Sequence, residues 1–215
     1  GGWPSRYGGW GAAFAESALT EEKQAKWLAR LILRDLGAGL DLTSYFHMTD
    51  FVNYFLDGSR NQPQFFGLLR GEDHTPKPSY FAYQCLCAIF DSDTMQDSRV
   101  MLRRFGSAGE AGDALPELVT TCQSAGFTRG GTPVVAFWYP VDQSRVEWEP
   151  RAIDAEIWYP ADLTLDRPVL VDVLTQDVHE VEVDRAEGKV RTLRNVPLMD
   201  YPLLLCDAGS LSLTQ

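Results

Sequence analysis

The chain has 215 residues, 45% of them hydrophobic, and a formal net charge of −11. That is enough apolar material for one large domain or two small ones, and it argues against disorder. No Lys or Arg cluster stands out, so neither nucleic acid nor an anionic membrane is expected as a partner. A neutral polar ligand such as a sugar is compatible with this balance, although nothing in the charge selects it.

Residues 1 to 17 are rich in Gly and aromatics (GGWPSRYGGWGAAF) and read as a loop. The first helix follows. Thr20 is its N-cap, Glu21 and Glu22 suit the positive end of the dipole, and Ala25, Leu28, Ala29, Ile32 and Leu36 form an apolar stripe. Gly37 or Gly39 ends it. Residues 40 to 46, LDLTSYF, alternate and carry β-branched and aromatic side chains, which predicts a strand. A long irregular stretch with several aromatics comes next, and such loops commonly carry function. Pro78 then opens a second helix whose Tyr80, Phe81, Tyr83, Leu86, Ile89 and Phe90 cover nearly all sides. That pattern predicts a largely buried helix, packed between a sheet and another element.

The polar run at residues 91 to 98 reads as a boundary. Beyond it lie seven or so short strand-like runs, separated by turn signals such as Gly130-Gly131 and Glu187-Gly188. They predict an antiparallel β-sandwich over 97–215. PELVTTCQ fits a strand or a helix equally. Trp138, Trp148 and Trp158 serve either packing or, in an exposed coplanar row, sugar binding. Of four cysteines, Cys85 and Cys87 sit two apart on a helix and cannot pair. Cys122 and Cys206 pair if their strands are neighbours; otherwise all four are free thiols. There is no CxxC, and His74 and His179 are isolated, so no metal or cofactor is expected. No GxSxG elbow is present.

Three stretches carry a family resemblance. GGWPS at the start is similar to the segment after the nucleophile strand of clan-A glycoside hydrolases. QAKWLARLILRDLGAGLD is similar to their seventh helix. YFHMTDF, FGLL and TPKPSYFAY together resemble the last barrel strand, its active-site loop and the eighth helix. The resemblance covers residues 1–91. It implies a fold of the α/β plus all-β class: a C-terminal fragment of a (β/α)8 barrel over 1–91, followed by a β-sandwich accessory domain over 97–215. The implied activity is that of a retaining, xylosidase-like or cellulase-like enzyme acting on β-linked glycosides. Its partners would be a carbohydrate substrate and the upstream part of the barrel. Retaining hydrolysis needs two carboxyls about 5 Å apart, and the resemblance places both upstream of this chain. No catalytic residue is therefore assigned, and the chain alone is expected to be inactive.

What remains is a sugar-binding wall of Trp3, Tyr45, His47 and Asp50. The resemblance puts Tyr45 where a Trp floors the cleaved-sugar site, and His47 replaces an Asp of the family pattern. Tyr45 equally fits a core aromatic, His47 a hydrogen-bonded loop histidine, Asp50 a loop-orienting carboxylate, and Trp3 a rim anchor. The alternative to the enzyme reading is a non-catalytic carbohydrate-binding or structural β-sandwich module.

Overall fold

A computed structural model describes residues 20–53, 55, 64–107, 121–143 and 147–211. Two helices precede two antiparallel sheets. Helix α1 spans Glu21–Gly37, with Thr20 Oγ1 accepting the Lys23 amide at 3.2 Å. Ala25, Leu28, Ala29 and Ile32 are buried, as their spacing predicts. Helix α2 spans Pro78–Ile89 and starts on its proline.

The strands are β1 Thr94–Gln96, β2 Met101–Ser107, β3 Gln123–Arg129, β4 Thr132–Trp138, β5 Arg151–Trp158, β6 Pro168–Asp172, β7 Val178–Glu180, β8 Glu182–Ala186, β9 Lys189–Leu198 and β10 Leu203–Asp207. One sheet has the order β1-β3-β4-β10-β6-β7 and the other β2-β5-β9-β8. Both glycine-bearing turns do what their composition requires. Gly130 and Gly131 join β3 to β4, and Glu187 and Gly188 join β8 to β9. All four residues have positive φ, the conformation of a two-residue hairpin loop whose twist matches its strands.

Every residue from Val134 to Trp138 in β4 and from Leu203 to Asp207 in β10 is buried. A strand buried on both faces has a layer on each side. Here the helix pair supplies one layer and the four-stranded sheet the other, and Leu28, Leu33, Leu86, Phe137, Leu193 and Leu204 all belong to a single core. Polar clamps join the layers as well. Arg30 donates to the carbonyls of Tyr139, Val141 and Asp200. Arg129 reaches back to the Ile89 carbonyl and to Asp91 Oδ2. The polar run after α2 itself contributes β1, which pairs with β3.

Two expectations need correction. Residues 40–46 form no strand, and no parallel barrel sheet exists among the described residues; Thr49 and Leu69 make only an isolated parallel bridge. The alternation is still visible, with Leu40, Leu42, Phe46 and Met48 exposed. A strand, however, needs a partner ladder, and no neighbouring strand lies beside this segment among the described residues. The fold is therefore mostly antiparallel sheet with two helices, not a (β/α)8 fragment. Second, α2 is not largely buried, with Gln84, Cys87 and Ala88 exposed. Ser79, Ala82, Cys85, Leu86 and Ile89 face inward while Phe81 is 42% exposed; small and aliphatic residues fill the inward face, with Tyr80 and Tyr83 only partly buried against the core. Of the two readings left open for the cysteines, the free-thiol one holds: Cys122 and Cys206 do not pair, and all four thiols are free. β4 lies between β3 and β10, so strand spacing of about 4.8 Å holds their backbones too far apart. Of PELVTTCQ, residues 116–120 lie outside the described residues, and its last residue, Gln123, opens β3.

Candidate functional site

The site forms where the segment after α1 meets the segment before α2. Met48 to Phe51 pairs with Gln64 to Leu69. The amide and carbonyl of Phe51 exchange bonds with those of Gln64 at 2.9 and 2.8 Å, and the Asp50 amide donates to the Leu69 carbonyl at 2.9 Å. Gly67 makes this approach possible, because a Cβ there would lie 2.3 Å from the Asp50 nitrogen.

Beneath this pairing sits a buried polar cluster. Lys77 Nζ donates to Asp50 Oδ1 at 2.7 Å, to the Phe65 carbonyl at 3.1 Å and to Gln24 Oε1 at 3.5 Å. Asp50 Oδ1 also accepts the Gly67 amide at 2.8 Å. Gln24 Nε2 donates to the Gly67 carbonyl and to Tyr45 Oη, both at 3.0 Å. Burial lowers the pKa of Lys77 and the Asp50 carboxylate opposes that shift. Burial raises the Tyr45 phenol to about 12, so this hydroxyl stays protonated. At the edge, Arg70 pairs with Glu21 at the start of α1 and donates to Thr75 Oγ1.

Above the polar cluster lie the rings. His47 stacks on Phe66 with centroids 5.0 Å apart and planes 10° apart, and its centroid is 3.9 Å from that of Phe51. Burial among these rings lowers the His47 pKa, with the Asp50 charge opposing. Phe66 is buried, whereas Phe46 and Met48 are 68% and 60% exposed and Phe51 and Phe55 are also open to solvent. The result is an apolar, aromatic surface on a braced support.

Tyr45, His47 and Asp50 are thus brought together, in different roles. Asp50 and the Tyr45 hydroxyl face the polar cluster, and His47 belongs to the ring layer. Trp3 and Trp10 lie outside the described residues. Sequence reasoning missed Lys77, Gln24 and the exposed Phe46 and Phe51. Trp138 is buried, Trp148 stacks on Tyr139 and donates to the Leu198 carbonyl, and Trp158 has Arg103 over its face. These rings form no coplanar exposed row. No group of three or more His, Cys, Asp or Glu able to hold a metal occurs among the described residues.

In comparison with known proteins, the chain matches no family model and no curated protein.

Proposed function

We propose that this chain is part of a retaining glycoside hydrolase acting on β-linked glycosides, and that it supplies a sugar-contacting wall without catalysing by itself. The observation that carries this reading is the exposed ring surface of Phe46 and Phe51, fixed by His47 and Phe66 above the buried Lys77–Asp50 pair. Aromatic faces suit the C–H faces of pyranose rings, and a rigid support lowers the entropic cost of binding. The similarity of TPKPSYFAY and FGLL to glycosidase segments agrees with it, since both stretches build this support. Tyr45, His47 and Asp50 hold one carboxyl among them, and hydrolysis needs two.

In this reading the two sheets, from β1 at Thr94 to β10 at Asp207, are an accessory β-sandwich that braces the rest. The packing of Trp138 and Trp148 and the Arg30 clamp favour bracing over sugar binding by that part.

The test is titration of the whole chain with β-linked xylo- and cello-oligosaccharides, followed by amide NMR, with aryl β-glycosides assayed in parallel. Saturable shifts at residues 46–51, lost in Phe46→Ala and Phe51→Ala, are expected, with no turnover. Turnover abolished by a substitution within the chain would overturn the non-catalytic assignment, and absence of any oligosaccharide binding would overturn the wall.

A further inference from the structure

A cleft lies where edge strands of the two sheets meet. β7 is the edge strand of the six-stranded sheet and β8 the edge strand of the other, and the chain crosses between them at Val181. The crossing leaves a cleft of about 510 Å³, within the range of small-molecule sites. Its floor is apolar, built from Leu170, Val196, Met199 and Leu203. Glu180 and Glu182, one residue either side of the crossing, stand at its rim.

The charges around the cleft are unequal in their commitments. The Asp172 carboxylate accepts from the Tyr201 hydroxyl at 2.7 Å and from the Leu174 and Thr175 amides at 2.8 and 3.2 Å, so its lone pairs are occupied. Arg194 lines the same cleft, but its guanidinium is engaged by Asp184 and Asp154. Among the described residues the carboxylates of Glu180 and Glu182 have no such partner. Two uncompensated negative charges above an apolar floor attract a cation and repel an anion. A bare metal ion fits poorly, because no group of three ligating side chains assembles among the described residues. A sugar also fits poorly, since no Phe, Tyr or Trp ring lines the cleft and His179 is its one aromatic side chain among the described residues.

We propose that this cleft binds a small organic ammonium ion, an amine carried on an apolar skeleton. The skeleton covers Leu170, Val196 and Leu203, and the ammonium group donates to Glu180 and Glu182. The inference is independent of the glycoside reading.

The probe is cyclohexylammonium, titrated into the whole chain and followed by amide NMR, with cyclohexanol and cyclohexanecarboxylate as neutral and anionic counterparts. Saturable shifts are expected at residues 180–182 and 195–196, weakened by added salt. The double variant Glu180→Gln, Glu182→Gln changes two exposed side chains and should fold normally. It should weaken binding by about tenfold, the effect of two partly exposed charge pairs. Three results would each overturn the proposal: no saturable binding, equal binding of cyclohexanol, or unchanged affinity in the double variant.

Discussion

Lys77 Nζ lies 2.7 Å from Asp50 Oδ1, and the two side chains are 1% and 4% exposed. An ion pair so placed does not add stability in proportion to its Coulomb attraction, because both groups were desolvated to form it. Its removal by halves is another matter. Asp50→Asn leaves a buried ammonium without a countercharge, which costs roughly 3–5 kcal/mol. The double variant Asp50→Leu, Lys77→Met removes both charges and should recover most of that loss. Urea unfolding of the three proteins checks both statements. A single variant as stable as the parent would show that the pair does not fasten the loop.

Gly67 meets Asp50 from the other side. A Cβ at this position would stand 2.3 Å from the Asp50 nitrogen and 2.4 Å from the Thr49 carbonyl carbon. Backbone cannot move aside as a flexible side chain can. Gly67→Ala should therefore cost at least about 1–3 kcal/mol, the usual range for overpacking. The same variant should broaden the amide signals of residues 48–51 while leaving those of β4 and β10 unmoved. Thermal melts and an amide correlation spectrum together decide it.

Some of this architecture was legible in the sequence and some was not, for physical reasons. Local signals carried α1 through Thr20 and the Ala25–Leu28–Ala29–Ile32 stripe, and carried both two-residue hairpins through Gly130-Gly131 and Glu187-Gly188. The strand expected over residues 40–46 depended on a partner that alternation alone cannot supply. The burial of Lys77 was hidden because its countercharge comes from 27 residues away. Its setting between Pro76 and Pro78 was a signal, since that backbone is fixed and its side chain has few directions to take. Gln24 gave a clearer one, four residues before Leu28 on the apolar stripe, where a polar side chain must find partners inside. The ring surface escaped notice because no spacing rule brings Phe46, Phe51 and Phe66 together; that takes the pairing of Phe51 with Gln64.

His47 should make stability depend on pH. Burial among phenylalanine rings holds the folded imidazole below its ordinary 6.5, with Asp50 opposing. The unfolded chain therefore takes up this proton first as pH falls, and proton uptake favours unfolding. The contribution of His47 is complete above pH 6.5 and is lost as pH drops from there through the folded value. His47→Phe should remove that part of the slope between neutral pH and the folded value. An imidazole titration by NMR gives the direction at once. A folded value above 6.5 would contradict the packing described for this ring.

The last prediction concerns the seam between helices and sheets. Arg30 donates to the carbonyls of Val141 at 2.7 Å and Tyr139 at 3.2 Å and to that of Asp200, and lies 3.9 Å from Asp200 Oδ2. Its burial, partly offset by Asp200, lowers its pKa to about 10, and it remains charged at neutral pH. One guanidinium thus satisfies acceptors at the start of two connecting segments, after β4 and before β10. Arg30→Ala would take a charged donor from all three carbonyls and leave the Asp200 carboxylate to Lys26, 3.2 Å from its Oδ1, and to Gln143, whose Nε2 donates to its Oδ2 at 2.9 Å. A loss on the order of 3 kcal/mol is expected, from charged hydrogen bonds broken at a buried site. Arg30→Lys should recover little of it, because an ammonium lacks the planar fork that reaches three carbonyls at once. The informative readout is where the loss appears. Leu28, Leu86, Phe137 and Leu204 share one core, so weakening the clamp should lower the protection of α1 amides and β4 amides together. Hydrogen exchange followed residue by residue measures this. If α1 lost protection while β4 kept the parent value, the helices would be a separate layer fastened onto the sheets, and the shared core would not be a single cooperative unit.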